Sequence, residues 1–204
     1  MSLHRLKSRF QALLRPLVTA LARLGVTANQ VTVGACLLSV AIGVLLALHP
    51  DAVALFLLLP LWNPVRMALN AVDGMLAREH GQASALGGYL NELADVFADA
   101  ALVLPFALLP GVPPAAVLAA IFLAAVAEFA GVLGIAAGGD RRHDGPLGKS
   151  DRALVFGVTG LLVGCGVTPG PWIGWVAAIA AVLLVVTIAQ RVRRGLAAAG
   201  HRTA

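Results

Sequence analysis

Charged residues are scarce in this 204-residue sequence: they make up 12% of the chain, about half the share found in soluble domains. Hydrophobic residues make up 59%, and the mean hydropathy is +0.88. Such a composition excludes an ordinary water-soluble domain. Aromatic residues are also few, at 5%, whereas glycine occurs 22 times. Because small residues let membrane helices approach closely, the sequence predicts a compact bundle of membrane helices.

Cysteine is nearly absent, since Cys36 and Cys165 are the only two in the chain. They lie far apart in apolar runs and lack the short spacing of a metal-binding pair. We therefore predict no cysteine-based metal site and expect both cysteines to be small buried side chains.

Residues 3–24 form the first patterned stretch, with apolar side chains at steps of three and four. The members of this stripe are Leu3, Leu6, Phe10, Leu13, Leu17, Leu21 and Leu24. Most basic residues of the stretch lie off the stripe, which predicts an amphipathic helix on the membrane surface with its basic face toward lipid phosphates. Pro16 is expected to kink or divide this helix.

Six apolar stretches follow, each close to the roughly 20 residues that cross a bilayer. They cover residues 31–48, 53–78, 87–109, 115–137, 152–168 and 171–190. The sequence therefore predicts an all-α integral membrane bundle of six transmembrane helices, preceded by the N-terminal amphipathic surface helix. We expect one membrane domain over residues 1–204, with the surface helix in 1–26, the bundle in 27–194 and a cytoplasmic tail in 195–204.

The basic residues are distributed unevenly around the six stretches. They precede the first, end the second, lie between the fourth and fifth and follow the sixth, whereas the breaks at 49–51, 110–114 and 168–171 contain no Lys or Arg. The positive-inside rule therefore predicts that both termini face the cytoplasm from a plasma or bacterial-type inner membrane. The same rule explains the net charge of +5, so we predict no nucleic-acid partner. Anionic membrane lipids and phosphorylated substrates are the expected partners.

Two of the predicted spans carry pairs of oxygen-bearing side chains near their cytoplasmic ends. Asn70 and Asp73 are three residues apart, and Asn91 and Asp95 are four apart, so each pair shares a helix face. Carboxylate and amide oxygens suit hard divalent cations, so the two faces form a candidate metal site. The alternative is a set of solvated helix ends, which the combined spacing disfavours.

The same stretch resembles the motif of the CDP-alcohol phosphotransferase family, D-x2-D-G-x2-A-R-x8-G-x3-D-x3-D. Six residues match it in register: Asp73, Gly74, Ala77, Arg78, Gly87 and Asp95. Asn70 and Asn91 stand where the motif has its first and third aspartates. The resemblance extends to the TANQVT stretch at 27–32 and to the six spans.

The resemblance implies a membrane transferase of phospholipid biosynthesis. A CDP-linked lipid, commonly CDP-diacylglycerol, would bind together with Mg²⁺ or Mn²⁺, as one ion or two. A small alcohol would attack the lipid-side phosphorus, and CMP would leave. The family also implies a homodimer, for which the sequence itself gives no support.

The resemblance implies roles for individual residues as well. Asp95 would be the catalytic base. The metal ligands would be Asn70, Asp73, Asn91 and Asp95. The nucleotide and its diphosphate would contact Asn29, Thr32, Gly74, Ala77, Arg78 and Gly87.

The two asparagines are the main departure from the family. Asn keeps a ligand oxygen but brings no charge, so Asp73 and Asp95 offer −2 where four carboxylates would face two divalent cations. We expect metal binding to depend on the donor diphosphate or to involve one ion. A divergent active enzyme is the preferred interpretation; a protein that binds the nucleotide-lipid without turnover, some other chemistry, and a small transporter are the alternatives.

The break between the fourth and fifth spans contains a second basic cluster. Its GKS stretch at 148–150 resembles the family's G-K-x-K-T, with Asp151 in place of the second lysine. Four residues are candidates to bind an acceptor phosphate: Arg141, Arg142, Lys149 and Arg152. The alternative is that these residues only fix the topology.

Asp99 lies one helical turn beyond Asp95. It is either an auxiliary residue of the site or the ion-pair partner of Arg66, and the ion pair is the preferred interpretation. Glu128, a second acid deep in a predicted span, is a rival partner for Arg66.

Overall fold

A computed structural model describes the backbone of residues 3–200 and the side chains of residues 10–198. Within that range the chain forms seven α-helices and no strand. They are α1 (Leu3–Arg23), α2 (Ala28–Leu48), α3 (Leu58–Glu79), α4 (Ala85–Val103), α5 (Pro114–Ala136), α6 (Lys149–Gly164) and α7 (Pro171–Gly200). Short 3-10 helices at Val53–Leu57 and Leu104–Leu108 precede α3 and follow α4.

Local sequence sets the helix ends. α2 begins with a capping box, in which the Gln30 N–H donates to the Thr27 hydroxyl and the Thr27 N–H donates to the Gln30 side-chain oxygen. α1 ends at Arg23 and is followed by Gly25, whose φ of 77° favours glycine. The Val26 N–H then donates to the Leu21 carbonyl at 3.0 Å, which satisfies a carbonyl left free by the end of the helix.

All six predicted stretches correspond to helices, and α7 continues to Gly200. Four segments of the described chain are long and apolar enough to cross a membrane: Ala28–Leu48, Val53–Glu79, Pro114–Ala136 and Pro171–Ala198. The other two, α4 and α6, carry half of the charged residues that the sequence assigns to the site: Asp95, Asp99, Lys149 and Arg152. α4 contains Glu92, Asp95 and Asp99, and α6 has only 16 residues. The crossing of the membrane by α4 and α6 therefore stays a prediction.

α1 contacts α3 along one edge. Val18 is fully buried there, with Leu14 and Leu21 packed around it, whereas Leu13 and Leu17 of the predicted apolar stripe are exposed. Pro16 lies inside α1 and does not divide it. The side chains of residues 1–9 and 199–204, which include part of the predicted basic face and tail, lie outside the described residues. The position of α1 on a membrane surface stays a prediction.

Glycines let the membrane helices pack closely. A Cβ at Gly43 of α2 would lie 2.2 Å from the carbonyl oxygen of Ala101 in α4, and one at Gly160 of α6 would lie 2.8 Å from the Leu59 side chain of α3. These contacts bring α2, α3, α4 and α6 together, while α5 packs against α7. The close approach agrees with the predicted use of small residues in this bundle.

Both cysteines are free thiols. Cys36 in α2 is half-buried, but Cys165, at the end of α6, is exposed. The expectation of two buried cysteines was wrong for Cys165 because the outer surface of a membrane bundle is itself apolar. Apolar neighbours in the sequence therefore do not distinguish a core position from a lipid-facing one.

Candidate active site

A cleft opens where the first turns of α2, the last turns of α3 and the first turns of α4 converge. Its volume is about 260 Å³, which suits part of a small ligand. Three of the four predicted metal ligands line it: Asn70, Asp73 and Asn91. The predicted nucleotide-contacting residues line it as well: Asn29, Thr32, Gly74, Ala77, Arg78 and Gly87. Residues from three helices thus form one polar cleft.

Asp73 is held in a fixed orientation by α2. Its side chain is buried, and its carboxylate accepts a hydrogen bond from the Thr32 hydroxyl at 2.7 Å. The contact joins residues 41 positions apart in sequence, so spacing alone could not reveal it. Thr32 therefore orients the one carboxylate that lines the cleft.

Asn70 presents an amide that the protein leaves unsatisfied. Its side-chain nitrogen is buried and has no hydrogen-bond partner among the described residues. A half-turn of the amide exchanges its nitrogen and oxygen. A buried amide of this kind is available to an external ligand or ion, and Asn91 adds a second amide on the opposite helix.

Two glycines keep the cleft open. A Cβ at Gly87 would lie 2.9 Å from the side-chain oxygen of Asn29, and a Cβ at Gly74 would lie 3.0 Å from the Arg78 guanidinium. Any side chain at these positions would displace a predicted nucleotide-contacting residue. The two motif glycines therefore have a steric reason in this fold.

Gln82 bonds to the start of α2, although no motif singled it out. Its side-chain oxygen accepts a hydrogen bond from the Ala28 N–H at 2.7 Å, and its nitrogen lies 3.4 Å from the Val26 carbonyl oxygen. The connection between α3 and α4 is thereby fixed to the start of α2. A glutamine in a short polar loop carries no sequence signal for such a role.

Asp95 does not line the cleft; its carboxylate is paired with cations instead. Lys149 donates to Asp95 Oδ1, and the Arg66 guanidinium lies 3.5 Å from the same oxygen. Arg66 also donates to the Asp95 backbone carbonyl at 3.2 Å. Asp95 is thus held by Lys149 and Arg66, whereas the other three predicted metal ligands, Asn70, Asp73 and Asn91, line the cleft.

Asp95 belongs to a larger set of ion pairs that joins the helices from α3 to α7. We call this set the ion-pair network, and its members are Arg66, Glu92, Asp95, Asp99, Glu128, Arg141, Lys149, Arg152 and Arg191. The predicted pair between Asp99 and Arg66 is present at 2.5 Å. Asp99 also contacts Arg152 at 2.7 Å, a partner that the sequence did not indicate.

Glu128, the rival partner for Arg66, instead contacts three other guanidinium groups. Arg141 and Arg152 each lie 3.0 Å from its carboxylate, and Arg191 lies 3.4 Å away. Arg191 was expected only as a basic residue near the C-terminal end. It is in fact fully buried and donates to the carbonyls of Ala127 and of Asp144.

A sequence signal for this arrangement exists on α5. Glu128, Gly131 and Gly134 are spaced three residues apart, which puts two residues without side chains beside a buried acid. A Cβ at Gly131 would lie 2.7 Å from the Arg142 carbonyl oxygen and 3.2 Å from Arg191. A glycine stripe next to a buried carboxylate thus marks the place where the loop and α7 dock.

The four predicted phosphate-binding cations are each paired with an acid. Arg141 lies 2.6 Å from Glu92 in addition to Glu128. Lys149 and Arg152 pair with acids of α4, as described above. Arg142 pairs with Asp144 at 2.7 Å, within the loop between α5 and α6. The described residues therefore form an alternating set of charges rather than a cluster of unpaired cations.

Asp144 fixes the loop between α5 and α6 to the end of α7. Burial raises the pKa of its carboxyl, but the hydrogen bonds and charges of Arg194 and Arg142 outweigh that effect and hold the pKa below its ordinary value. Asp144 is therefore ionised near neutral pH, when both guanidinium groups contact it.

No group of three or more His, Cys, Asp or Glu side chains in the described part of the chain is placed to hold a metal ion. The candidate ligand set differs from such a group in two ways. Two of its members, Asn70 and Asn91, are amides, and Asp95 is turned toward Lys149. The cleft itself offers one carboxylate and two amides, a donor set that suits one hard cation whose remaining ligands come from a bound phosphate or water.

The arrangement of the chain is similar to that of two solved structures from Mycobacterium tuberculosis. Phosphatidylinositol phosphate synthase (PgsA1) in complex with manganese and citrate has a TM-score of 0.72, with 22% identity over 88% of this chain and 87% of that one. The same protein with CDP-DAG bound has a TM-score of 0.71, with 22% identity over 88% of this chain and 92% of that one. At this identity the likeness establishes the fold.

Sequence comparison gives a nearer relative and a family. The chain is 45% identical to the inner membrane protein YnbA of Escherichia coli (strain K12) over 193 residues, which cover 95% of this chain and 96% of that protein. Residues 25–189 match the sequence model of the CDP-alcohol phosphatidyltransferase family. This match includes the whole cleft and most of the ion-pair network, and the chain belongs to the CDP-alcohol phosphatidyltransferase family.

Proposed function

We propose that this membrane protein transfers a phosphatidyl group from a CDP-linked lipid, CDP-diacylglycerol or a close analogue, to a small alcohol in phospholipid biosynthesis. CMP is the second product. The observation that carries the proposal is the single cleft in which the buried Asp73, two amides and the six predicted nucleotide-contacting residues converge. The family match and the fold shared with a CDP-DAG-bound synthase support the donor class.

The nucleotide and diphosphate of the donor bind in this cleft. Gly74 and Gly87 leave room for the ligand, and the N-terminus of α4 borders it. Arg78 is exposed and makes no ion pair with any described residue, so its guanidinium is free to bind the diphosphate. The positive end of the α4 dipole favours the same anion.

Asn70, Asp73 and Asn91 hold a divalent cation, Mg²⁺ or Mn²⁺, and one ion fits this set better than two. When bound, the cation neutralises charge on the transferring and departing phosphates. Support comes from the unsatisfied Asn70 amide, the oriented Asp73 carboxylate and the manganese in a structure of the same fold. Because the cleft offers one carboxylate, metal and donor bind more tightly together than apart.

Asp95 acts as the general base. The alcohol oxygen forms a bond to the lipid-side phosphorus, the bond from that phosphorus to the CMP oxygen breaks, and the hydroxyl proton passes to the Asp95 carboxylate. Lys149 and Arg66 contact the Asp95 carboxylate and orient it. The acceptor side of the site consists of Arg141, Lys149 and Arg152 with their acidic partners, and Asp99 has a structural role between Arg66 and Arg152.

The finer membrane placement follows from the charge distribution. All six predicted helices cross the membrane, α1 lies on its surface, and both termini and the cleft face the cytoplasm. The exposed Leu13 and Leu17 of α1 would insert among lipids. The chain acts as one domain, and a homodimer is the family's expectation.

A transfer assay tests this proposal. Purified protein is given CDP-diacylglycerol labelled in its acyl chains, Mn²⁺ and a panel of alcohols, and both CMP and the new labelled lipid are measured. We expect both products, with none after EDTA treatment. Arg78→Gln should raise the KM for the donor, whereas the exposed Arg193→Gln should not. Binding of the donor without any release of CMP would instead support a protein that binds the nucleotide-lipid without turnover.

A further inference from the structure

Four members of the ion-pair network, one of them the proposed base, form one edge of the predicted acceptor side. We call Glu92, Asp95, Arg141 and Lys149 the acceptor rim. Their side chains keep 27%, 10%, 23% and 20% of their surface exposed, respectively. Arg66 and Arg152, by comparison, are nearly buried, at 4% and 5%. An acceptor that reaches Asp95 from the rim side therefore meets Arg141 and Lys149 first.

The rim has no excess of positive charge. Its two cations face its two carboxylates. Arg141 lies 2.6 Å from Glu92, and Lys149 donates a hydrogen bond to Asp95. The layer beneath is balanced in the same way, since Arg66 and Arg152 contact Asp99 and Glu128. Arg191, the fifth cation of the network, is directed to two backbone carbonyls and to Glu128.

A phosphate monoester needs cations that are not already neutralised. Any phosphate close enough to bind Arg141 would also lie near the two carboxylates that contact the same guanidinium. Like charges at such distances repel strongly in a partly buried site. Glu128 cannot withdraw, because it is buried and contacts three guanidinium groups at once. The alternation of charge therefore opposes a dianionic acceptor.

The same alternation suits hydroxyl groups. The rim carboxylates accept hydrogen bonds, whereas Lys149 and Arg141 donate them. The Arg141 Nε donor is buried and has no partner among the described residues, so it is a further donor for a ligand oxygen. Arg142, the remaining predicted phosphate-binding residue, is engaged by Asp144 in the loop. Each rim group can thus be satisfied by a polyhydroxylated ligand without a net change of charge.

We infer that the acceptor is a neutral alcohol, of polyol type, and not a phosphate-bearing one. The inference rests on the proposed transferase function and narrows its substrate class. It departs from the expectation that Arg141, Arg142, Lys149 and Arg152 bind an acceptor phosphate. The charge pairing in the rim is the reason for the departure.

A matched pair of acceptors tests the inference directly. CMP release is measured with glycerol and with glycerol 3-phosphate, and then with inositol and inositol 1-phosphate, at fixed CDP-diacylglycerol and Mn²⁺. We expect the free alcohol to have the higher kcat/KM in each pair that reacts, by at least about tenfold. Glu92→Gln should narrow this preference because it leaves Arg141 with one carboxylate fewer. A wild-type preference for the phosphorylated member of either pair would overturn the inference.

A binding measurement decides the question even if no alcohol in the panel reacts. In equilibrium dialysis, the wild-type protein should show no saturable, Arg141-dependent binding of inorganic phosphate at phosphate concentrations below about 10 mM. Saturable binding that Arg141→Gln abolishes and Arg78→Gln leaves intact would refute the inference. Absence of CMP release with every acceptor counts against the proposed function, whereas Arg141-dependent phosphate binding counts against the neutral acceptor alone.

Discussion

Replacement of Glu128 by glutamine should destabilise the protein more than any loss of a surface charge. The substitution keeps the size and shape of the side chain but removes the charge that faces three guanidinium groups, two at 3.0 Å and one at 3.4 Å. The Glu128 side chain is only 8% exposed. Water therefore cannot replace the lost carboxylate, and buried cations are left without full compensation.

The expected magnitude follows from this geometry. Removal of one partner from a buried ion pair costs about 3–5 kcal/mol. For a chain of this size, each kcal/mol lowers Tm by about 2–4 °C, so we expect a fall of roughly 6–20 °C. Arg141 keeps Glu92 and Arg152 keeps Asp99 as acidic partners, whereas Arg191 keeps only hydrogen bonds to backbone carbonyls, so the loss of charge acts mainly on Arg191.

The assay is thermal denaturation of the purified protein in one detergent, followed by circular dichroism. Glu79→Gln is the matched control, because Glu79 pairs with Arg15 at 3.0 Å on the exposed surface of α1 and α3. The control should change Tm little, since exposed pairs contribute little to stability. Equal Tm values for Glu128→Gln and Glu79→Gln would refute the assignment of Glu128 to the centre of the network.

Three further outcomes are expected. Asn70→Asp and Asn91→Asp should each tighten Mn²⁺ binding in the absence of donor by at least about tenfold, as measured by calorimetry; unchanged affinity would remove these positions from the ligand set. Gly87→Ala should weaken donor binding about tenfold, because its Cβ would lie 2.9 Å from an amide oxygen across the cleft. Gly34→Ala should bind normally, because Gly34 does not line the cleft and a Cβ there has nothing within 4 Å. The folded-state pKa of Asp144 is below its unfolded value of about 3.9, so its stabilising effect is complete above that pH and is lost as the pH falls through the folded-state pKa. Melting curves should therefore show that Asp144→Asn lowers Tm at pH 7 and that this difference shrinks as the pH falls below about 3.9. A difference that stays constant down to the lowest pH at which the protein is folded would contradict this.

Local patterns predicted the fold and the cleft well. Apolar runs of membrane-spanning length mark the helices, and Thr27 with Gln30 marks the start of α2. The spacing of Asn70 from Asp73 puts both on one helix face, and both line the cleft. These features depend on residues close together in sequence, so periodicity and motif spacing are sufficient to find them.

The contacts between distant segments could not be predicted in the same way. The pairing of Asp99 with Arg66 was expected, because two buried charges of opposite sign lay at similar depth in adjacent spans. The contact of Glu128 with Arg191 depends on the docking of α7 against α5. The glycine spacing on α5 indicates a close contact there but does not indicate which segment of the chain makes it. The placement of Cys165 on the surface likewise depends on which apolar face meets lipid.

We propose that the cleft around Asp73 binds a CDP-linked lipid and a metal ion for the transfer of its phosphatidyl group. The test measures the rate of CMP release from CDP-diacylglycerol with Mn²⁺ and a panel of alcohols. The wild-type protein, Asp73→Asn and Asp51→Asn are compared under identical conditions. Asp51→Asn is the control, because it alters an exposed acid in a turn outside the cleft. We expect the wild-type protein and Asp51→Asn to release CMP. The rate of CMP release should be at least about 100-fold lower for Asp73→Asn. Equal rates for wild type and Asp73→Asn, or no release by the wild-type protein with any alcohol, would contradict the proposal.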